Sequence, residues 1–178
     1  VTKISKKEDG TFCITTEQDG QLAVVMETKA VIVATGVHPR ELTVPGEKEY
    51  RNRGVTYCTT CDGPLFGGKI TTVIGGGNGA LEAGLMLADI GSKVYMINKN
   101  QQFKGDTILL EKLQTKSNVE IIYGAMTKEI IGTQMVTGLK YEKDGKVEEL
   151  KTDGIFIHIG NIPNSDIVPT EVAKNNLF

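Results

Sequence analysis

The turn Gly75-Gly76-Gly77-Asn78-Gly79-Ala80 constrains this chain more than any other feature. Lys69 to Ile74 before it reads as a strand, β-branched from Ile70 onward, Asn78 to Ile90 after it has helical spacing, and Lys93 to Ile97 reads as a strand again. Strand, glycine turn, helix and strand make a βαβ unit, and that requires a parallel sheet. Within the turn, Gly75-x-Gly77-x-x-Ala80 matches the dinucleotide-binding pattern. The first glycine permits the sharp exit from the strand, the second leaves space for a pyrophosphate against the backbone, and the third small residue lets helix and strand pack closely. The helix N-terminus then faces the phosphates. Gly75, Gly76, Gly77, Asn78, Gly79 and Ala80 are therefore the candidate nucleotide contacts. The competing reading is a glycine-rich turn that holds no ligand.

The tip of the second strand bears on which nucleotide is bound. A carboxylate there would hold a ribose 2′-hydroxyl. This chain has Asn98, Lys99 and Asn100, with Lys104 beyond. Asn98 suits either ribose, and the two lysines suit a 2′-phosphate as point charges. The balance tips toward NADPH over NADH. The competing reading of the lysines is a solvated loop.

The flanks read differently. Runs at 1–6, 11–16 and 21–27 are separated by Asp9-Gly10 and Asp19-Gly20, which predicts a β-meander. The run from Lys29 to Thr35, ending at Gly36, predicts a strand buried on both faces. Residues 37–47, with Pro39, Pro45 and Gly46, read as a linker and hinge, and Gly160 and Pro163 mark a second hinge. Between the hinges, the helix at 78–90 turns Leu81, Leu85 and Ala88 to one face and stops at Gly91. A helix over 106–114 has Asp106 as its N-cap, strands follow at 119–123 and 155–159, and 126–152 is a β excursion with a hairpin at Asp144-Gly145.

The cysteines carry the second chemical signal. Three are too few for a disulfide scaffold, and two of them form Cys58-Thr59-Thr60-Cys61. A close pair beside the lone Cys13 fits a working dithiol in a reducing compartment, hence a cytoplasmic protein. At a helix start, one sulfur is favoured as thiolate, and Asp62 is the neighbouring candidate proton donor or acceptor. The alternatives are a zinc half-site, for which the chain offers only Cys13, His38 and His158 as further ligands, or two inert buried thiols. No metal site is expected. A net charge of −2 gives no reason to expect nucleic acid or an anionic membrane, and no apolar run approaches the roughly 18 residues of a membrane span.

Taken in order, these motifs resemble a family. Cys58-Thr59-Thr60-Cys61-Asp62-Gly63-Pro64-Leu65-Phe66, shortly before Gly75-Gly76-Gly77-Asn78, is similar to the low-molecular-weight thioredoxin reductases and, equally, to the flavoprotein subunit of alkyl hydroperoxide reductase. Val31 to Gly36 looks like that family's Ala-Thr-Gly strand end, Val44-Pro45-Gly46-Glu47 like the way into its nucleotide domain, and Gly154 to Asn164 like the way out. The resemblance covers residues 29 to 165. It implies a Rossmann-like α/β NAD(P)H domain at 44–158, inserted in an FAD-binding domain that supplies 1–43 and 159–178. Thr35 and Gly36 would belong to the FAD side.

By the same resemblance, electrons run from NAD(P)H through FAD to Cys58 and Cys61 and on to a protein disulfide. Cys61 would face the flavin, Cys58 would meet the partner, and Asp62 would be the acid/base. The hinges would let the nucleotide domain rotate, since one disulfide cannot touch a buried flavin and an outside protein at once. The expected partner is a thioredoxin-like or glutaredoxin-like protein or a peroxidase, and the intact protein is expected to be a homodimer. No FAD fingerprint precedes residue 36, and the family's closing FAD segment is missing. The chain therefore reads as an internal piece, expected not to hold FAD or turn over alone. The family's basic signature (His-Arg-Arg, then another Arg) is replaced by Asn98, Lys99, Asn100 and Lys104, and its NADH-using members have Glu where Asn98 stands. Two other functions stay open: a nucleotide-binding module with an inert thiol pair, and a reductase fed by ferredoxin or another non-nicotinamide carrier.

Overall fold

The computed structural model describes residues 1–173, the side chains at 22 and 23 excepted; the last five residues of the expected 159–178 segment lie outside the described residues. The chain divides into two units, one formed by Val1–His38 with the segment from Asn161 onward, the other by Pro39–Gly160.

In the first unit, β1 (Lys3–Lys6), β2 (Phe12–Gln18) and β3 (Gln21–Thr28) form the expected antiparallel meander. Both Asp-Gly corners use positive φ: Gly10 at 85°, and Asp19 and Gly20 at 52° and 76°. The buried strand expected at 29–36 is absent. Residues 30–36 have no regular structure, and Ile32 is 94% exposed. A doubly buried strand needs a neighbour on each edge, and among the described residues none lies beside this run. Within the expected linker, β4 (Val37–Pro39) instead forms a strand.

The second unit is an α/β layer structure. Its remaining elements are β5 (Val55–Thr56), α1 (Thr59–Asp62), a 3₁₀ turn over Gly63–Phe66, β6 (Ile70–Ile74), α2 (Asn78–Ile90), β7 (Lys93–Asn98), α3 (Thr107–Gln114), β8 (Val119–Tyr123), β9 (Met126–Gly132), β10 (Val136–Lys143), β11 (Lys146–Lys151) and β12 (Gly154–Ile157). After it, β13 (Asn161–Pro163) pairs with β4. The central sheet is parallel, in the order β5-β12-β6-β7-β8, and β9 to β11 make a separate antiparallel sheet in the order β11-β10-β9.

Alternation along the parallel strands explains why both faces are covered. Val73, Met96 and Phe156 pack with Leu81 and Leu87 of α2 and Leu113 of α3. Their neighbours Ile74, Ile97, Ile155 and Ile157 pack on the other face against Ile130 and Leu139 of the antiparallel sheet. Burying Phe156 or Leu81 contributes about 1.5–3 kcal/mol each, and Phe156 adds an edge-on contact with Phe66 at 5.2 Å. Leu85 is only partly buried at the margin of this cluster. Asp106 stands at the N-cap of α3, but its side chain makes no capping bond. Its carboxylate accepts from Asn78 Nδ2 at 3.0 Å, and its N–H donates to Asn78 Oδ1 at 2.7 Å. Asn78 thus competes successfully for the group that the sequence assigns to the cap.

Candidate functional site

Strand order fixes where a ligand can sit. From β6 the chain winds outward through β7 and β8, whereas β12 lies on the opposite side of β6. The direction of winding therefore reverses between β6 and β12, and the crevice at their C-terminal ends is the place where open parallel sheets bind ligands. The segments leaving that edge are Tyr57 and Cys58 after β5, Gly75 after β6, Lys99 after β7 and His158 after β12. Two motifs separated in sequence thus emerge along one edge.

The glycine turn is shaped for close approach. Gly75 has φ +151°, and a Cβ there would come within 2.1 Å of the His158 carbonyl oxygen. A Cβ on Gly76 would come within 2.7 Å of Asn98 Oδ1, whereas one on Gly77 would meet nothing within 4 Å. Gly77 is the N-cap of α2 and makes no side-chain cap, and residues 77–79 at the start of the helix are exposed. This cradle fits a dinucleotide pyrophosphate.

The loop after β7 folds back over the turn. Lys104 N–H donates to Gly76 O at 2.7 Å, which holds exposed Lys104 beside the cradle. Lys99 is exposed at the strand tip. Asn98 is 1% exposed, and its amide is engaged at both ends: Nδ2 donates to Gln102 O at 3.0 Å, and Oδ1 accepts from Asn100 N–H at 3.0 Å. The residue expected to reach a ribose thus forms the floor that shapes the lysine loop.

Cys58 and Cys61 form a disulfide with Cα atoms 5.3 Å apart. Cys58 caps α1, and its Sγ accepts the Cys61 N–H at 3.2 Å. That donor stabilises negative charge on Cys58 sulfur once the bond opens. Cys61 is exposed and Cys58 half-buried. The Thr56 hydroxyl donates to Asp62 Oδ2 and accepts the Cys58 N–H at 3.2 Å, so one buried threonine holds the acid/base candidate beside the disulfide.

Sequence reasoning missed three positioning groups. Thr56 is the first. Glu47, 1% exposed, is the second: it accepts from Leu42 N–H at 2.8 Å, Thr43 N–H at 2.6 Å and Tyr57 Oη at 2.8 Å. It ties the preceding loop to the residue before Cys58. Burial, then this hydrogen bond, pushes the Tyr57 phenol well above its ordinary range, so it stays a donor. The third is His158, whose Nε2 lies 2.7 Å from Thr59 Oγ1. The available signal for it was a lone polar residue closing an apolar strand at the carboxyl edge.

Burial lowers the His158 pKa below its ordinary 6.5, and Glu82 opposes the shift. Above pH 6.5 the ring is neutral in folded and unfolded chains alike. Below it the unfolded chain takes up a proton that the folded chain resists, so stability falls as pH drops from 6.5 toward the lowered folded value. His158→Gln is expected to remove that part of the slope, as thermal melts of both chains on either side of pH 6.5 will show.

Thr35 and Gly36 lie in the first unit, bound to Asn164. Thr35 Oγ1 donates to Asn164 O at 2.5 Å, Asn164 Nδ2 donates to Thr35 O at 2.9 Å, and Asn164 N–H donates to Gly36 O at 3.0 Å. Cys13 is a free, half-buried thiol on β2. No helix among the described residues is long and apolar enough to cross a membrane.

Known proteins are similar to this chain in sequence and fold. The alkyl hydroperoxide reductase of Pseudomonas putida has a subunit, termed F, that is 47% identical over 144 residues, which is 79% of this chain and 28% of that protein. Its counterpart in Staphylococcus aureus N315 is 41% identical over 96% of this chain and 33% of its own length. Lactococcus lactis thioredoxin reductase superposes with a TM-score of 0.83 at 33% identity, over 94% of this chain and 54% of that one. The chain thus spans about a third of those curated relatives and half of the solved one. The family model for pyridine nucleotide-disulphide oxidoreductases matches residues 1–177, and it is to that family that this chain belongs.

Proposed function

We propose that this chain is the nucleotide and dithiol module of a thioredoxin-reductase-like flavoprotein. One observation carries the reading: the Cys58–Cys61 disulfide and the open Gly77 cradle leave the same edge of one parallel sheet. Residues 44–158 are assigned to the NAD(P)H domain, and 1–43 and 159–178 to an FAD-binding domain. When bound, NAD(P)H and FAD supply and relay a pair of electrons. Gly75 to Ala80 hold the pyrophosphate, and Lys99 and Lys104 favour the 2′-phosphate of NADPH. For a flavin the chain offers Thr35 and Gly36, whose polar atoms already pair with Asn164, so no step is assigned to them.

The protein's own residues carry the thiol chemistry. Two electrons and two protons convert the Cys58–Cys61 disulfide into two thiols. Cys58, stabilised as thiolate by the Cys61 N–H, attacks a partner disulfide and releases one partner sulfur. Cys61 then attacks Cys58, releases the second partner sulfur and restores the internal disulfide. Asp62, held by Thr56, takes and returns the proton. The partner is a thioredoxin-like, glutaredoxin-like or peroxidase protein, the setting is the reducing cytoplasm, and the intact assembly is a homodimer.

Calorimetric titration of the chain with NADPH and NADH at fixed ionic strength tests the donor. Tighter NADPH binding, weakened by Lys99→Ala, supports the assignment. Binding of neither nucleotide would make the Gly75 turn a scaffold and point to a carrier such as ferredoxin.

A further inference from the structure

The dithiol chemistry leaves His158 unused, yet the fold holds it tightly between the two motifs. Its N–H donates to Ile74 O at 2.8 Å, and its carbonyl lies so close to Gly75 that a Cβ there would approach within 2.1 Å. The backbone of His158 is thereby fixed on the glycine turn. Its ring is held by Thr59 Oγ1, 2.7 Å from Nε2, and Thr59 is buried between the two cysteines. The remaining nitrogen faces α2: a Cβ built on Gly79 would lie 3.8 Å from Nδ1. Gly79 is exposed in the first turn of that helix, two residues past the open Gly77 position.

A neutral imidazole carries one donor nitrogen and one acceptor. When the Thr59 hydroxyl donates to Nε2, the ring proton sits on Nδ1, the nitrogen beside Gly79 in the first turn of α2. The opposite tautomer would turn a lone pair toward an anion.

We propose that His158 is a dinucleotide-binding residue whose Nδ1–H donates to the pyrophosphate, with the Thr59 hydroxyl fixing the required tautomer. The inference rests on the nucleotide reading of the Gly75 turn. It makes Thr59 a positioning residue and gives the stretch between the cysteines a part in nucleotide affinity. The burial that keeps His158 neutral also makes the tautomer matter, because a doubly protonated ring would donate from both nitrogens.

The experiment is calorimetric titration of the chain and of His158→Asn, His158→Gln and Thr59→Val with NADPH, NADH and ADP-ribose. An asparagine amide reproduces a donor near Nδ1, whereas glutamine reaches toward Nε2. His158→Asn is expected to stay within about threefold of the parent, and His158→Gln and Thr59→Val to weaken all three ligands about tenfold, the scale of one hydrogen bond to a charged group. An equal loss for ADP-ribose locates the contact at the pyrophosphate. Equal affinities across the set, asparagine as poor as glutamine, or a loss confined to the nicotinamide ligands overturns the proposal. If the parent binds and Gly77→Asp abolishes that binding while the His158 and Thr59 variants match the parent, this inference alone fails. If the parent binds nothing, it fails together with the nucleotide reading. Thr59→Val keeps the test decisive should a His158 variant misfold.

Discussion

Cys61→Ser will trap a mixed disulfide between Cys58 and the partner protein, and Cys58→Ser will trap none. The asymmetry follows from the local geometry. The amide that stabilises a thiolate points at Cys58, so Cys58 is the attacking sulfur. Without a sulfur at 61, nothing resolves the adduct. Either variant lowers disulfide turnover by on the order of 10⁴-fold, because a serine hydroxyl is neither an adequate nucleophile nor a disulfide partner. Non-reducing gels of each variant, mixed with an oxidised thioredoxin-like protein and reduced beforehand, read the adduct directly. An adduct with Cys58→Ser instead would reverse the two roles. Neither substitution is expected to unfold the chain, since α1 lies at the surface and Phe66, Phe156 and Leu87 remain packed beneath it.

Gly77→Asp will abolish nucleotide binding and leave the fold intact. A Cβ at 77 meets nothing within 4 Å, so the side chain enters the cradle without disturbing protein atoms. There it occupies the pyrophosphate's place and adds a like charge at close range. A loss of about 100-fold or more, roughly 2.7 kcal/mol, is expected in calorimetry. Gly75→Ala provides the contrast. Its Cβ would lie 2.1 Å from the His158 carbonyl oxygen, at a φ that side chains rarely adopt, so it lowers the melting temperature as well as the affinity. A Gly77→Asp chain that binds as the parent does would mean the cradle holds no phosphate.

The parts of this molecule readable from its sequence are those in which neighbouring residues decide the outcome. Helix α2 runs from Asn78 to Ile90 as its periodicity predicts, the Asp-Gly corners close the meander, and Cys58 caps a helix. The failures share a different cause. Ile32 and Val33 have the composition of a buried strand, but a strand is made by its neighbours, and among the described residues none flanks them. Asp106 does stand at the N-cap as its composition predicts, but its carboxylate turns to Asn78, 28 residues away, instead of capping the helix. His158 and Thr59 are 99 positions apart, and only the parallel pairing of β5 with β12 brings them together. Glu47 looks like one acidic residue among many until the Leu42–Thr43 turn and Tyr57 close around it. The motifs of the site were therefore legible, whereas the residues that position them were not.

The central claim is that Cys58 and Cys61 form a reversible two-electron couple. It is tested most directly by equilibrating the chain with graded ratios of reduced and oxidised dithiothreitol, quenching with an alkylating agent and weighing the products. The chain is expected to gain two alkyl groups together, on Cys58 and Cys61, along a single two-electron curve, while Cys13 is alkylated throughout. Cysteines at 58 and 61 that are alkylated at every ratio, or one at a time, would contradict it.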